Sequence, residues 1–201
     1  MTAKSSDKTW STAEEEIMQA TYHALLDHGY ADLSISRIAD ELDKSKSAIY
    51  YHYDSKDDLL LVFLEFAIDR FETAVGTEAW DDPGETLDHV IEKLLPLQPD
   101  EKQRQIQYVL VGLRSQAVTN EAFREQFTRI DDRLATTIRD IVTRGIEDGV
   151  FRDVDPTRVA EHVLSTVNGA MYARATTDRE SVAAVRLSLS SYLDTELRHL
   201  T

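Results

Sequence analysis

Residues 34–56 read SISRIADELDKSKSAIYYHYDSK, and the spacing of apolar side chains in this stretch decides the architecture. Ile35, Ile38, Ala39 and Leu42 recur at helical intervals on one face, and Ser34 stands where its oxygen can cap the first turn. Only Asp43 and Lys44 separate this helix from a second short one, which begins at Ser45, another capping residue. Ile49 and Tyr53, four apart, share the side that seals the second helix to a core. Two short helices on a tight turn, following a longer helix, form a helix-turn-helix, predicted over residues 34–53. Lys46, Ser47, Tyr50 and Tyr51 are left pointing away from that core.

Helical signals continue in both directions. Ser11-Thr12-Ala13-Glu14 is a capping box, and Glu14, Glu15 and Glu16 complement the positive end of the helix dipole. Ile17, Ala20, Ala24 and Leu25 form one face, and Gly29 provides a left-handed stop. Asp82-Pro83 and Asp155-Pro156 each place an acidic cap before a proline at the first helical position. Between them Phe123, Phe127, Ile130, Leu134, Ile138, Ile141 and Val142 keep a period near 3.6, with Gly145 and Gly149 loosening and ending the helix. Val182, Val185, Leu189, Tyr192 and Leu193 mark a last helix, and no segment alternates with the period of a strand. The prediction is an all-α fold with helices over 11–28, 34–42, 45–52, 56–77, 83–95, 101–118, 120–148, 155–176 and 180–198.

Composition narrows the function. Absence of cysteine removes disulfide scaffolds, thiolate zinc sites and thiol catalysis. The N-terminus lacks the apolar core of a secretion signal, and LLLVFL at 59–64 is too short to span a bilayer. A soluble, cytoplasmic protein with no membrane partner is predicted. Phosphate-binding loops, nucleophile elbows and His-x-x-x-His pairs are missing. A Glu-x-x-His spacing occurs only at Glu196–His199, so no catalytic residue, metal ligand or cofactor is predicted. The chain carries 22 Lys and Arg against 37 Asp and Glu, a formal net charge of -15. Such a carboxylate-rich, lysine-poor surface suits a salt-rich, halophilic cytoplasm that screens like-charge repulsion.

The predicted recognition helix offers chemistry for a duplex. Lys46 can donate to guanine acceptors, Ser47 can donate or accept, and the Ala48 methyl can meet a thymine methyl. Tyr50, Tyr51 and His52 present donors for phosphate oxygens, and Lys56 opens the next helix. Ser34, Ser36, Arg37, Lys44 and Ser45 complete the expected DNA-contacting set. Residues 1–56 hold six Lys and Arg against ten Asp and Glu, a net of -4, which leaves -11 for the remainder. Only 44–56 is locally basic, so little affinity can come from counterion release.

Residues 34–59 resemble the DNA-binding segment of the TetR family of transcriptional regulators. The resemblance rests on Ile38-Ala39, Ser45, Ile49-Tyr50, His52-Tyr53 and Lys56 at that family's spacings. Two features depart from it: Asp43-Lys44 stands where the turn often has glycine and valine, and Ser47 stands where glycine is frequent. Lys44 must therefore snorkel outward, toward DNA. The resemblance implies a DNA-binding domain over 1–56 and an effector-binding and dimerisation domain over 57–201.

In the second domain, IVTRGIEDGVFRDVDPTRVAEHVLSTVNGAMYA (141–173) resembles family members whose penultimate helix follows a Gly-x-Phe turn and an Asp-Pro start. Small residues there, with the apolar stripe of the last helix, imply a homodimer interface through Val163, Thr166, Gly169, Ala170, Ala173, Leu189 and Tyr192. A two-fold dimer sets recognition helices about 34–36 Å apart on a palindromic operator. Candidate effector residues are Phe63, Phe66, Tyr108, Arg114, Asn168 and Met171, with Trp80, Leu110, Leu113, His89 and His162 nearby in type. They suit a mostly apolar small molecule, or an acidic one held by Arg114. The resemblance implies a ligand-responsive repressor whose effector shifts the fourth helix. The alternative is a helical small-molecule-binding or interaction protein that has lost DNA binding.

Overall fold

The computed structural model describes residues 9–42, 44–77 and 82–198; expectations at Asp43, Trp80 and His199 lie outside them. Its described residues form nine helices: α1 Thr12–Asp32, α2 Ile35–Leu42, α3 Lys46–Tyr50, α4 Lys56–Thr77, α5 Pro83–Leu94, α6 Glu101–Gln116, α7 Glu121–Glu147, α8 Pro156–Thr176 and α9 Val182–Glu196. They contain no strand, only an isolated antiparallel bridge between Phe151 and Arg198. The all-α prediction holds, and each predicted span overlaps one helix.

Capping chemistry sets the helix starts. Ser11 Oγ accepts from the Glu14 amide, and the Glu14 carboxylate accepts from the Ser11 amide at 2.9 Å. Asp82 accepts from the Glu85 amide and Asp155 from those of Thr157 and Arg158, each before a proline. Gly29 breaks α1 with φ 66°, so the chain turns before it enters α2.

The chain divides into two compact units, one holding residues to Thr73 and Arg104–Thr128, the other Ala74–Gln103 and Arg129–Thr201. This division falls within α4, α6 and α7 and does not coincide with the expected 56/57 boundary, which lies at the start of α4.

In the first unit, Met18, Leu25, Ile38, Ile49, Leu59, Leu60, Leu64, Leu113 and Phe123 are fully buried. Trp10 clasps α1 to α4: its ring meets Phe66 edge-on at 5.1 Å, and Nε1 donates to Asp69 at 3.0 Å. Arg70 pairs with Glu15 beside it.

In the second unit, arginines from later helices satisfy the carbonyls at the end of α5. Arg186 donates to the Leu95 carbonyl at 2.6 Å and pairs with Glu92 at 3.0 Å, while Arg174 donates to the Pro96 carbonyl at 2.7 Å. Arg198 bridges Asp88 at 2.7 Å and Asp194 at 3.0 Å, which raises its pKa despite burial. After α7 the backbone reverses at Gly149, φ 72°, and the amides of Val150 and Phe151 both donate to the Gly145 carbonyl at 2.9 Å. Gly145 does not loosen α7 as expected. It is the seat of the Phe151 ring, which an added methyl would overlap. No described residue lies within 4 Å of a methyl placed on Gly112 in α6. Gly145→Ala should therefore cost about 1–3 kcal/mol through overpacking, whereas Gly112→Ala should gain about 0.5–1 kcal/mol from helix propensity. Thermal and chaotrope unfolding of the two variants checks this pair of opposite signs.

Candidate nucleic-acid interface

Helix α3 has only five residues, too few to persist alone, and Ile49 holds it in place with 0% exposure. Tyr53, just beyond, is also buried. The Tyr51 and Tyr53 amides donate to the Ser47 and Ile49 carbonyls at 3.0 Å, extending the turn past the helix end. With this side sealed, Lys46 and Ser47 are exposed, Ala48 is half-buried, and Tyr50, Tyr51 and His52 project outward. Tyr50 is 53% and Tyr51 86% exposed, and the Tyr51 and His52 rings meet edge-on at 5.2 Å. The structure thus brings Lys46, Ser47, Tyr50, Tyr51 and His52 together on one short exposed segment.

The flanking residues are largely engaged within the chain. Ser34 Oγ accepts from the Arg37 amide at 3.3 Å, so it caps α2 as expected. Arg37 donates to the Asp32 carbonyl. Ser36 is half-buried. Ser45 occupies the cap position of α3 but makes no side-chain cap bond, contrary to its expected role. Lys44 corrects a second expectation: its ammonium turns to the Glu16 carboxylate on α1. The aliphatic stem cannot be buried at the turn without its charge, and the Glu16 carboxylate takes that charge. Lys56 lies 4.5 Å above the Tyr30 ring.

Tyr53 shows the cost of the seal. Its hydroxyl is buried with no hydrogen-bond partner among the described residues, and desolvation, then the carboxylates of Glu14 and Asp58, push its pKa up to about 12. Tyr30 is also raised, by desolvation and then by Asp57.

The expected effector residues divide between the two units. Phe63 is buried, Phe66 is covered by Trp10 and by Arg70 at 5.0 Å, Tyr108 is exposed, and Arg114 stacks on Phe127 at 4.6 Å, all within the first unit. Asn168 and Met171, both half-buried, belong to the second. A cleft of about 260 Å³ in the second unit is lined instead by Asp132, Thr136, Arg139, Thr157 and Glu161 with two alanines. Among the described residues no group of three or more His, Cys, Asp or Glu is placed to hold a metal ion, and no helix is long and apolar enough to cross a membrane.

The expected dimer residues need revision. Val163, Ala170 and Leu189 are buried within this chain, so they are unavailable to a partner. Thr166, Ala173 and Tyr192 are half-buried, Tyr192 stacking on His162 at 4.1 Å, and Gly169 is exposed. The outward row of α8 is His162, Ser165, Gly169 and Tyr172, and α9 projects Leu187. Tyr172 is 60% and Leu187 70% exposed.

The raised Tyr53 pKa has a defined sign. A phenol that ionises near 10 unfolded and near 12 folded loses its contribution as pH rises between those values. Tyr53→Phe should be neutral or slightly stabilising at pH 7 and should flatten the loss of stability between about pH 10 and 12. Chaotrope midpoints measured across that range provide the check.

Comparison with known proteins identifies the family. The family profile described as "Bacterial regulatory proteins, tetR family" matches residues 17–62, and that described as "BetI-type transcriptional repressor, C-terminal" matches residues 83–198. A TetR transcription regulator from Haloarcula marismortui shares 38% identity, with 94% of this chain and all of that one covered and a TM-score of 0.84. A transcriptional regulator from Saccharomonospora viridis, solved in complex with choline, shares 26% identity over 95% of this chain and all of its own, with a TM-score of 0.79. The HTH-type transcriptional repressor AcnR of Corynebacterium glutamicum is 23% identical over 177 residues, 88% of each chain. The chain belongs to the TetR family of DNA-binding transcriptional repressors.

Proposed function

We propose that the chain acts as a ligand-responsive homodimer that reads a palindromic operator through α3, with residues 1–56 as the DNA-binding domain and 57–201 as the effector and dimerisation domain. The exposed segment from Lys46 to His52, braced by the burial of Ile49, supports this reading most directly. Lys46, Ser47 and Ala48 meet base edges, while Tyr50, Tyr51, His52 and Lys56 meet phosphates. The acidic balance, with Arg37 and Lys44 held internally, leaves few cations to exchange for counterions.

The dimer forms through the outer faces of α8 and α9, around Gly169, Tyr172 and Leu187. Gly169 supports this surface because no described residue lies within 4 Å of a methyl placed there, leaving room for a second backbone. The effector is a small molecule. Choline, bound by the Saccharomonospora viridis protein, is a cation and would not pair with Arg114; an acidic ligand would. Effector and operator affinities are linked, so each must weaken the other by one common factor at equilibrium.

Lys46→Ala should cost about 1–3 kcal/mol on the preferred duplex and relax base preference, while Lys56→Ala should weaken all sequences alike. With Lys56 as the phosphate-facing cation of each protomer, log affinity against log salt should have a slope of only about -2. Binding titrations on duplexes selected in vitro test both. A chain that selects no sequence at all would favour the interaction-protein reading instead. Leu187→Arg should convert the dimer to a folded monomer in light scattering, and a variant that remains dimeric would place the interface elsewhere.

A further inference from the structure

One polar link in the first unit joins segments 63 residues apart, and neither capping nor core packing requires it. Asn120 stands at the corner between α6 and α7. Its Oδ1 accepts from the amides of Ala122 at 3.0 Å and Phe123 at 3.5 Å, capping α7. The other end of the same amide, Nδ2, donates to Asp57 Oδ2 at 3.4 Å in the first turn of α4. Serine, threonine or aspartate would cap α7 about as well as asparagine. Of these, only asparagine has an amide that accepts at one end and donates to a carboxylate at the other.

The Asp57 end of the link borders the residues proposed to face DNA. Lys56 precedes it and lies over Tyr30, and Asp57 is itself close enough to help raise the Tyr30 pKa, after desolvation. The first turn of α4 is otherwise closed on itself: Ser55 Oγ accepts from the Asp58 amide at 3.0 Å, and Asp58 accepts from the Asp54 amide at 3.2 Å. Asp54 immediately follows the buried Tyr53, so the end of α3 and the start of α4 form one short rigid run. At the other end of the link the α6–α7 corner is held by buried Phe123 and by Arg114 stacked on Phe127.

We infer that Asn120 is a positioning residue for operator binding: its amide ties the α6–α7 corner to Asp57 and so fixes where Lys56 and the end of α3 stand against the duplex. This rests on the reading that residues 46–56 face DNA. The link acts on placement and contributes little to folding, because a long hydrogen bond between half-buried groups adds little net stability.

The test is a double-mutant cycle on a duplex selected in vitro by the wild-type chain. Asn120→Asp keeps the cap of α7 but sets one carboxylate against another, and should weaken binding about tenfold while the chain stays folded with its thermal midpoint lowered by about 2–4 °C. Asp57→Asn alone keeps a possible acceptor and removes a negative charge near phosphate, so its affinity should equal or exceed that of wild type. The pair Asn120→Asp with Asp57→Asn reverses donor and acceptor and should restore binding to the level of Asp57→Asn alone. If Asn120→Asp does not fold, Asn120→Ser keeps the cap without the link and should lose affinity in the same direction. Wild-type affinity in Asn120→Asp, or in Asn120→Ser where that serves instead, or a cycle additive within about twofold, would overturn the inference. Lys46→Ala run in parallel separates the two failures. If it leaves base preference intact, the DNA-facing reading of α3 is wrong. If it relaxes preference while the cycle is additive, only the Asn120 link is wrong.

Discussion

The side chain of Ile49 fixes the geometry on which the DNA-binding end depends. Nucleating an isolated helix carries a penalty of about 4 kcal/mol, and a five-residue segment adds too few hydrogen bonds to recover it. Full burial of an isoleucine contributes about 1.5–3 kcal/mol, so α3 exists only because Ile49, with Ile38, Ala39 and Tyr53, closes one apolar cluster. That closure determines the outward set. Once Ile49 faces in, Lys46, Ser47, Tyr50 and Tyr51 have nowhere to point but solvent or a groove. The same cluster takes in the Tyr53 phenol, whose hydroxyl has no partner among the described residues.

Charge then acts through scarcity. In a chain of net charge -15, cations near the recognition helix are drawn to the chain's own acceptors: Lys44 to Glu16, Arg37 to a backbone carbonyl, Lys56 to an aromatic face. These contacts brace the turn and the start of α4, and they also reduce the positive field a duplex would meet. Recognition by such a surface relies more on shape and directed donors than on counterion release.

Much of this was legible from sequence because the signals are local. The Ser11 box, the Asp-Pro starts and the Ile35–Ile49 spacing each specify structure within a few residues, and the helix spans follow. Contacts between distant segments carry no such signal. Nothing in the sequence pairs Lys44 with Glu16, Arg186 with the α5 carbonyls or Asn120 with Asp57, because long or forked side chains find partners on helices that only the fold brings near. That three of the expected dimer residues, Val163, Ala170 and Leu189, are buried in the chain was not legible for another reason. Helix α8 carries small or apolar residues around much of its circumference, so periodicity did not distinguish Val163 and Ala170, which face the core, from Ser165, Gly169 and Tyr172, which do not. The effector pocket remained illegible because aromatic residues that line cavities and those that fill cores look alike in one dimension.

Mapping amide chemical shifts while a selected duplex is added to the labelled chain tests the central claim most directly. The largest changes should fall on Ser45–Tyr53 and at Lys56, with Tyr172 and Leu187 unmoved. A footprint that spares α3 and centres on another helix would contradict the account.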